Sequence, residues 1–267
     1  MVLFYNYQYL SNKNIYSVRS FSMPLGAPKK CLLLLCLFGL VHCLRATQEW
    51  ECDHGNSTIL RIDGNFTLSG TCVISYYIWV IKHKTLGITG LKHPDGTLPT
   101  MDGKGKYRLF FVRKGSSLIL KFLNLTNGYA IDKKGGGGIR CENCNLVNIQ
   151  QSIITANVAS NAGGLLFLHG NRLEIVNSFI SHNVAKKMKG YTNHGGGVGI
   201  WGSGTVVIRD SSIRSNHVYT NRMGYNIYVT TYEDKVPEYY FINLDVDHGE
   251  NSVVINDLNK TTCESAP

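Results

Sequence analysis

Apolar and polar positions alternate in short runs through most of the chain, and one arrangement of them returns three times. Residues 149–157, 175–183 and 208–216 read IQQSIITAN, IVNSFISHN and IRDSSIRSN. Each opens on isoleucine, with serine three on, isoleucine five on and asparagine eight on, and they align without a gap. A fainter copy, LKFLNLTN at 120–127, carries its asparagine one position early. The copies start at 120, 149, 175 and 208, so they lie 29, 26 and 33 residues apart. Self-similarity at such a period means one supersecondary unit stacked on itself. The runs are rich in isoleucine and valine and are broken by Asn and Gly, so they predict strands and turns. The leucine ladder of a leucine-rich repeat is missing. The pattern therefore predicts the coils of a parallel β-solenoid joined by loops of variable length.

Glycines set a second register. They fall at 135–138, 163–164 and 195–197, with a single Gly224 in the fourth copy. Counted from the last glycine, the residues one and three on are Ile139 and Cys141, Leu165 and Phe167, Val198 and Ile200, and Tyr225 and Ile227. Period two places each such pair on one face of a strand. Stacking then makes ladders of them, and likewise of Ile149, Ile175 and Ile208 and of Ile154, Ile180 and Ile213. Asn157, Asn183 and Asn216 are expected at bends, because Asn tolerates the left-handed conformation and its amide can bond to the same amide one coil away. That structural role accounts for them without catalysis or ligand binding.

The combination of IxxN with a following GGxx, as in IITAN then GGLLF and FISHN then GGVGI, resembles the repeats of right-handed parallel β-helix proteins, the polymorphic outer-membrane protein repeat in particular. The lead-in at 88–128 is similar to the opening coils of pectin-lyase-like extracellular proteins, and together the two resemblances span roughly residues 86–229. They imply an all-β, single-stranded right-handed parallel β-helix with short terminal caps. This chain departs from the outer-membrane repeat in having isoleucine in place of phenylalanine, a variable third position after the glycines and no barrel afterwards.

Lys29 and Lys30 precede an apolar run at 31–41, shorter than the ~20 residues a spanning helix needs and suited to a signal-peptide core. Cleavage is expected after Cys43 or Ala46, and Met23 makes a tidier start, so residues 1–22 read as an extension of the gene model. A membrane anchor from 31–44 is the alternative. The remaining chain divides into a cap with the first coils at 47–115, regular coils at 116–229 and a closing segment at 230–267. Sequons at Asn56, Asn65, Asn124 and Asn259 agree with a secreted or cell-surface glycoprotein. Outside the signal remain Cys52, Cys72, Cys141, Cys144 and Cys263, an odd number. Cys52 with Cys72 is the simplest bridge, leaving one bridge and one free or intermolecular thiol among the other three. The CENC spacing at 141–144 has neither a thioredoxin-like context nor a second ligand pair, so no metal is expected there.

The formal charge of +9 includes five basic residues and no acid in 1–46, so the mature chain carries 22 basic and 18 acidic side chains. That mild excess implies little by itself. Its placement is more informative. The loops GYAIDKK, VASNA, VAKKMKGYTNH and HVYTNRM all leave one edge of the stack, bringing together Lys133, Lys134, Lys186, Lys187, Lys189, Tyr191, His194, His217, Tyr219 and Arg222. Cations interleaved with tyrosines fit an acidic polysaccharide or another cell-surface polyanion, and solvated loops are the plainer reading. Nucleic acid is not an expected partner, and no cofactor is implied.

The resemblance also raises enzymes, because pectin-lyase-like folds host lyases, hydrolases and epimerases that act through clustered carboxylates. Here there is no Asp-Asp pair, no GHG and no RIK, and the repeats hold only Glu174 and Asp210, which fall at unmatched positions. Asp245, Asp247 and His248 form the best remaining catalytic candidate. The sequence therefore favours a non-catalytic binding, adhesion or structural module over a polysaccharide-active enzyme.

Overall fold

The architecture was obtained from a computed structural model, which describes residues 48–50, 52, 63–131, 135–186, 194–219, 224–230, 237–247 and 252–256. Every regular element among these residues is a β-strand. The strands form sheets of 13, 4 and 7 members. One coil runs through Leu146–Gln150, Ile153–Thr155, Val158–Ala159 and Leu165–Leu168. The next runs through Arg172–Val176, Phe179–Ser181, Val184–Ala185 and Val198–Trp201, each strand parallel to its predecessor. Four strand stacks thus surround one core, and the chain is a parallel β-helix. In the following coil the first two strands fuse into Thr205–Arg214, which joins the first and second stacks into the largest sheet.

The predicted ladders are present. Leu120, Ile149, Ile175 and Ile208 are register partners, as are Leu125, Ile154, Ile180 and Ile213. In the fourth stack Ile139, Leu165, Val198 and Ile227 form one ladder and Cys141, Phe167, Ile200 and Val229 another. All of these side chains are buried, each contributing about 1.5–3 kcal/mol of hydrophobic stabilisation where a large side chain is wholly withdrawn from water. Parallel pairing requires this repetition, since any residue on a stack contacts its counterpart in the coils on both sides. At the amino-terminal end Trp50 meets Phe66 edge-on, and Cys52 is bridged to Cys72. Cys141 is bridged to Cys144, with both sulfurs inside the core.

The structure corrects two readings of the sequence. Gly224 aligns with Gly195, the first glycine of its run, and both have φ of +60°. The last ladder pair is consequently Ile227 with Val229, and Tyr225 lies outside it. The second correction concerns the bends. The left-handed residues are Ala156, His182 and Ser215, each just before the repeated asparagine. The asparagine can then turn its amide inward. Asn183 Oδ1 accepts from Asn157 N and Nδ2, both at 3.0 Å, and Asn183 Nδ2 donates to Ile154 O at 2.9 Å and Asn216 Oδ1 at 3.0 Å.

The repeated serine closes the other bend. Ser178 Oγ donates to Val176 O at 2.8 Å and accepts from Ser152 N at 3.2 Å, and Ser152 and Ser211 repeat the arrangement. Each serine follows a left-handed residue, namely Gln151, Asn177 or Asp210. The buried hydrogen bonds of the serines offset the left-handed backbone, which costs about 1 kcal/mol at a non-glycine residue.

Candidate binding groove

The left-handed residues that precede the serines point outward, and stacking sets them in a row. Gln151, Asn177, Asp210 and Asn243 occupy one position in four consecutive coils, and all four are exposed. Beside them runs a second row, Ile153, Phe179, Ser212 and Asp245, on the outer face of the second stack. Between the rows lies an open groove of about 850 Å3 parallel to the axis of the β-helix.

Residues 91–99 wall the amino-terminal end of this groove. They interrupt the bend between Thr85–Gly90 and Thr100–Asp102, and Lys92, Gly96 and Leu98 line the cavity. Phe122 holds the coil position equivalent to Gln151, and the ammonium of Lys92 sits 4.5 Å from its ring centre. The lysine thereby covers the rung that would extend the row.

Charges along the groove nearly cancel. Asn243 Nδ2 donates to Asp210 Oδ1 at 2.9 Å, and Arg209 contacts Asp210 at 3.0 Å. The hydrogen bond from Asn243 and then the adjacent guanidinium hold the Asp210 carboxyl below its ordinary value, so it is an anion at neutral pH. Asp245 accepts from Ser212 Oγ at 2.8 Å and lies 3.7 Å from Arg214, whose guanidinium stands over the Phe179 ring at 5.1 Å. Gln151 and Asn177 make no side-chain hydrogen bond to described residues, so their amides are available to a ligand.

Of the catalytic candidates, Asp245 and Asp247 do share the outward face, but each is bonded to the preceding coil, Asp245 as above and Asp247 to Ser215 N. His248 lies outside the described residues. Glu174 is held by Arg172 and Asn148, both at 2.6 Å. Among the described residues no group of three His, Cys, Asp or Glu side chains is placed to hold a metal ion.

The loop edge is described in part. Lys186 and Tyr219 are exposed neighbours in adjacent coils, and Lys186 Nζ stands 6.0 Å from the Tyr129 ring. His217 meets Tyr219 edge-on at 5.0 Å, whereas His194 stacks on Tyr228 with ring centres 4.3 Å apart. Lys133, Lys134, Lys187, Lys189, Tyr191 and Arg222 lie outside the described residues, as do the expected signal segment, Cys263 and the sequons at Asn56 and Asn259. Asn65 is exposed. Asn124 is half-buried and donates to Thr100 Oγ1 at 3.3 Å.

Sequence reasoning overlooked the groove, although a signal for it was present. The residue before each repeated serine is Gln, Asn or Asp, a small polar set recurring at one coil position. The wall could not be read, because residues 91–99 belong to no repeat. No protein-family model, characterised protein or solved structure matches the chain.

Proposed function

We propose that this chain is a secreted or cell-surface β-helix protein that binds polysaccharide without cleaving it. The observation that carries the reading is the axial groove, where the exposed amides of Gln151, Asn177 and Asn243 stand at three of four coils beside a row containing Ile153 and Phe179. A sugar ring offers an apolar face and a rim of hydroxyls, and the two rows complement those two surfaces. The resemblance of residues 88–128 to the opening coils of pectin-lyase-like proteins supports the same ligand class. Two disulfides, and the lack among the described residues of a helix long and apolar enough to cross a membrane, are compatible with an extracellular setting. Lys186, with Tyr219 beside it on the loop edge, offers a second contact for acidic groups of a glycan.

A polysaccharide lyase, hydrolase or epimerase is the competing reading, favoured by the presence of Asp210 and Asp245 in one groove. Asp210 does not suit proton donation, since its neighbours favour the anion, and Asp245 is engaged with Ser212 and Arg214. Incubating the secreted protein with a panel of neutral and acidic polysaccharides tests both. Retention with unchanged chain length is expected. Release of shorter chains would establish the enzyme, and lack of retention by any member of the panel would remove the binding reading.

A further inference from the structure

We infer that the groove recognises the end of an extended neutral glycan rather than its interior. This rests on the polysaccharide reading above and goes further in naming the ligand's charge, shape and direction of entry.

Shape comes from the straightness of the rows. Gln151, Asn177, Asp210 and Asn243 repeat once per coil at the strand spacing of ~4.8 Å, close to the length of one pyranose residue in an extended chain. Successive sugars, each turned by roughly half a turn from the last, can then place hydroxyls from alternate edges against successive side chains. Such a chain has equatorial β-linkages, whereas an α-linked glucan coils away from a straight row. Four rungs give room for ~4 sugars at this spacing.

Charge gives this site no strong preference for a polyanion. Asp210 and Asp245 are paired with Arg209 and Arg214, and Lys92 stands at the other end, so the groove carries no cluster of unpaired cations. Its hydrogen-bonding groups are mainly amides and hydroxyls, which exchange donors and acceptors with neutral hydroxyls.

Direction follows from the wall. With Lys92 over the Phe122 ring, the position that would receive a fifth sugar is filled by the chain itself. Residues 92–97 are exposed on the outer surface at that point. A glycan lying along the rows must therefore end against them, and its other end leaves past Asn243 and Asp245.

The test uses the secreted full chain and β-1,4-linked oligomers of glucose, mannose and xylose, one to eight units long, measured by calorimetry. For the sugar that binds, affinity is expected to rise up to about four units and then stay level, as ~4 rungs predict. A bulky substituent at one terminus is expected to lower affinity at least ~10-fold, and the same group at the other to have little effect. Asn177→Gly keeps the left-handed backbone and removes one amide, and a loss of roughly five- to tenfold is expected, as for one hydrogen bond. Affinity that keeps rising with length, or tolerance of blocks at both termini, would overturn end recognition. Polysaccharide retained on the panel with no oligomer bound would overturn this inference and leave the proposed function standing, whereas no retention at all would remove both.

Discussion

Asn183 sits at the centre of the amide ladder, and truncating it to alanine isolates what the ladder contributes. The side chain is wholly buried and makes four hydrogen bonds, two as acceptor and two as donor. Not all of its partners are stranded by the change. Asn157 Nδ2 keeps Leu125 O and Thr155 O, and Asn216 Oδ1 keeps the Asn183 backbone N–H. Asn157 N is left without its partner in a site closed to water, whereas Ile154 O keeps the ladder bond implied by its pairing with Ile180. The stranded donor costs about 1–3 kcal/mol and the two bonds donated by Asn183 Nδ2 about 0.5–1.5 kcal/mol each, so roughly 2–6 kcal/mol is expected in all. That is a large part of a stability of ~5–15 kcal/mol. Ser178→Ala strands only Ser152 N in the same way, so about 1–3 kcal/mol is expected. Asn177→Gly, in the same coil but on the surface, should stay within about 0.5 kcal/mol. Urea unfolding of the three secreted variants measures the order, with secretion yield as the readout if Asn183→Ala does not accumulate. Asn183→Ala no less stable than Asn177→Gly would refute the argument that buried amides hold the coils together.

Ile180→Asp places a carboxylate without a partner in the continuous core, a cost of several kcal/mol, and secretion should cease; wild-type yield would show that the position faces water. Burial lowers the pKa of His194, so the unfolded chain binds the extra proton first, and stability should fall as pH drops through about 6.5 toward the lower folded value. His194→Phe should flatten unfolding midpoints over that window while keeping the stack on Tyr228. Mass spectrometry of secreted material is expected to find the chain starting near Thr47 and glycan on Asn65 in preference to the engaged Asn124, and an intact amino terminus in membranes would instead favour an anchor. If the loop edge holds acidic glycan, changing Lys186, Lys187 and Lys189 to Ser should abolish salt-sensitive retention on heparin with folding intact, since exposed charges are screened over ~10 Å at 0.1 M, and retention unaffected by the change would return these loops to solvent.

The β-helix, most of its ladders and the asparagine bend were legible in the chain because parallel stacking makes one residue serve as partner to its own copy, so each need appears again after a coil. Ile149, Ile175 and Ile208 declare the core in this way, and Asn157, Asn183 and Asn216 declare the bend. Features that occur once escaped. The amide ladder ends on Asn226, whose Oδ1 receives Asn216 N at 3.3 Å and Nδ2 at 2.9 Å. That residue comes from another stack of the same coil, so no repeat announces it. A side chain at Gly199 would crowd Ala162 and Leu166, yet sequence shows only one more glycine in a rich run. The closed end of the groove depends on Lys92 reaching Phe122 across a bend. Local alternation determined which residues face inward, while the tertiary structure alone decided which outward residues became a walled groove, because a wall is a contact between segments that share no pattern.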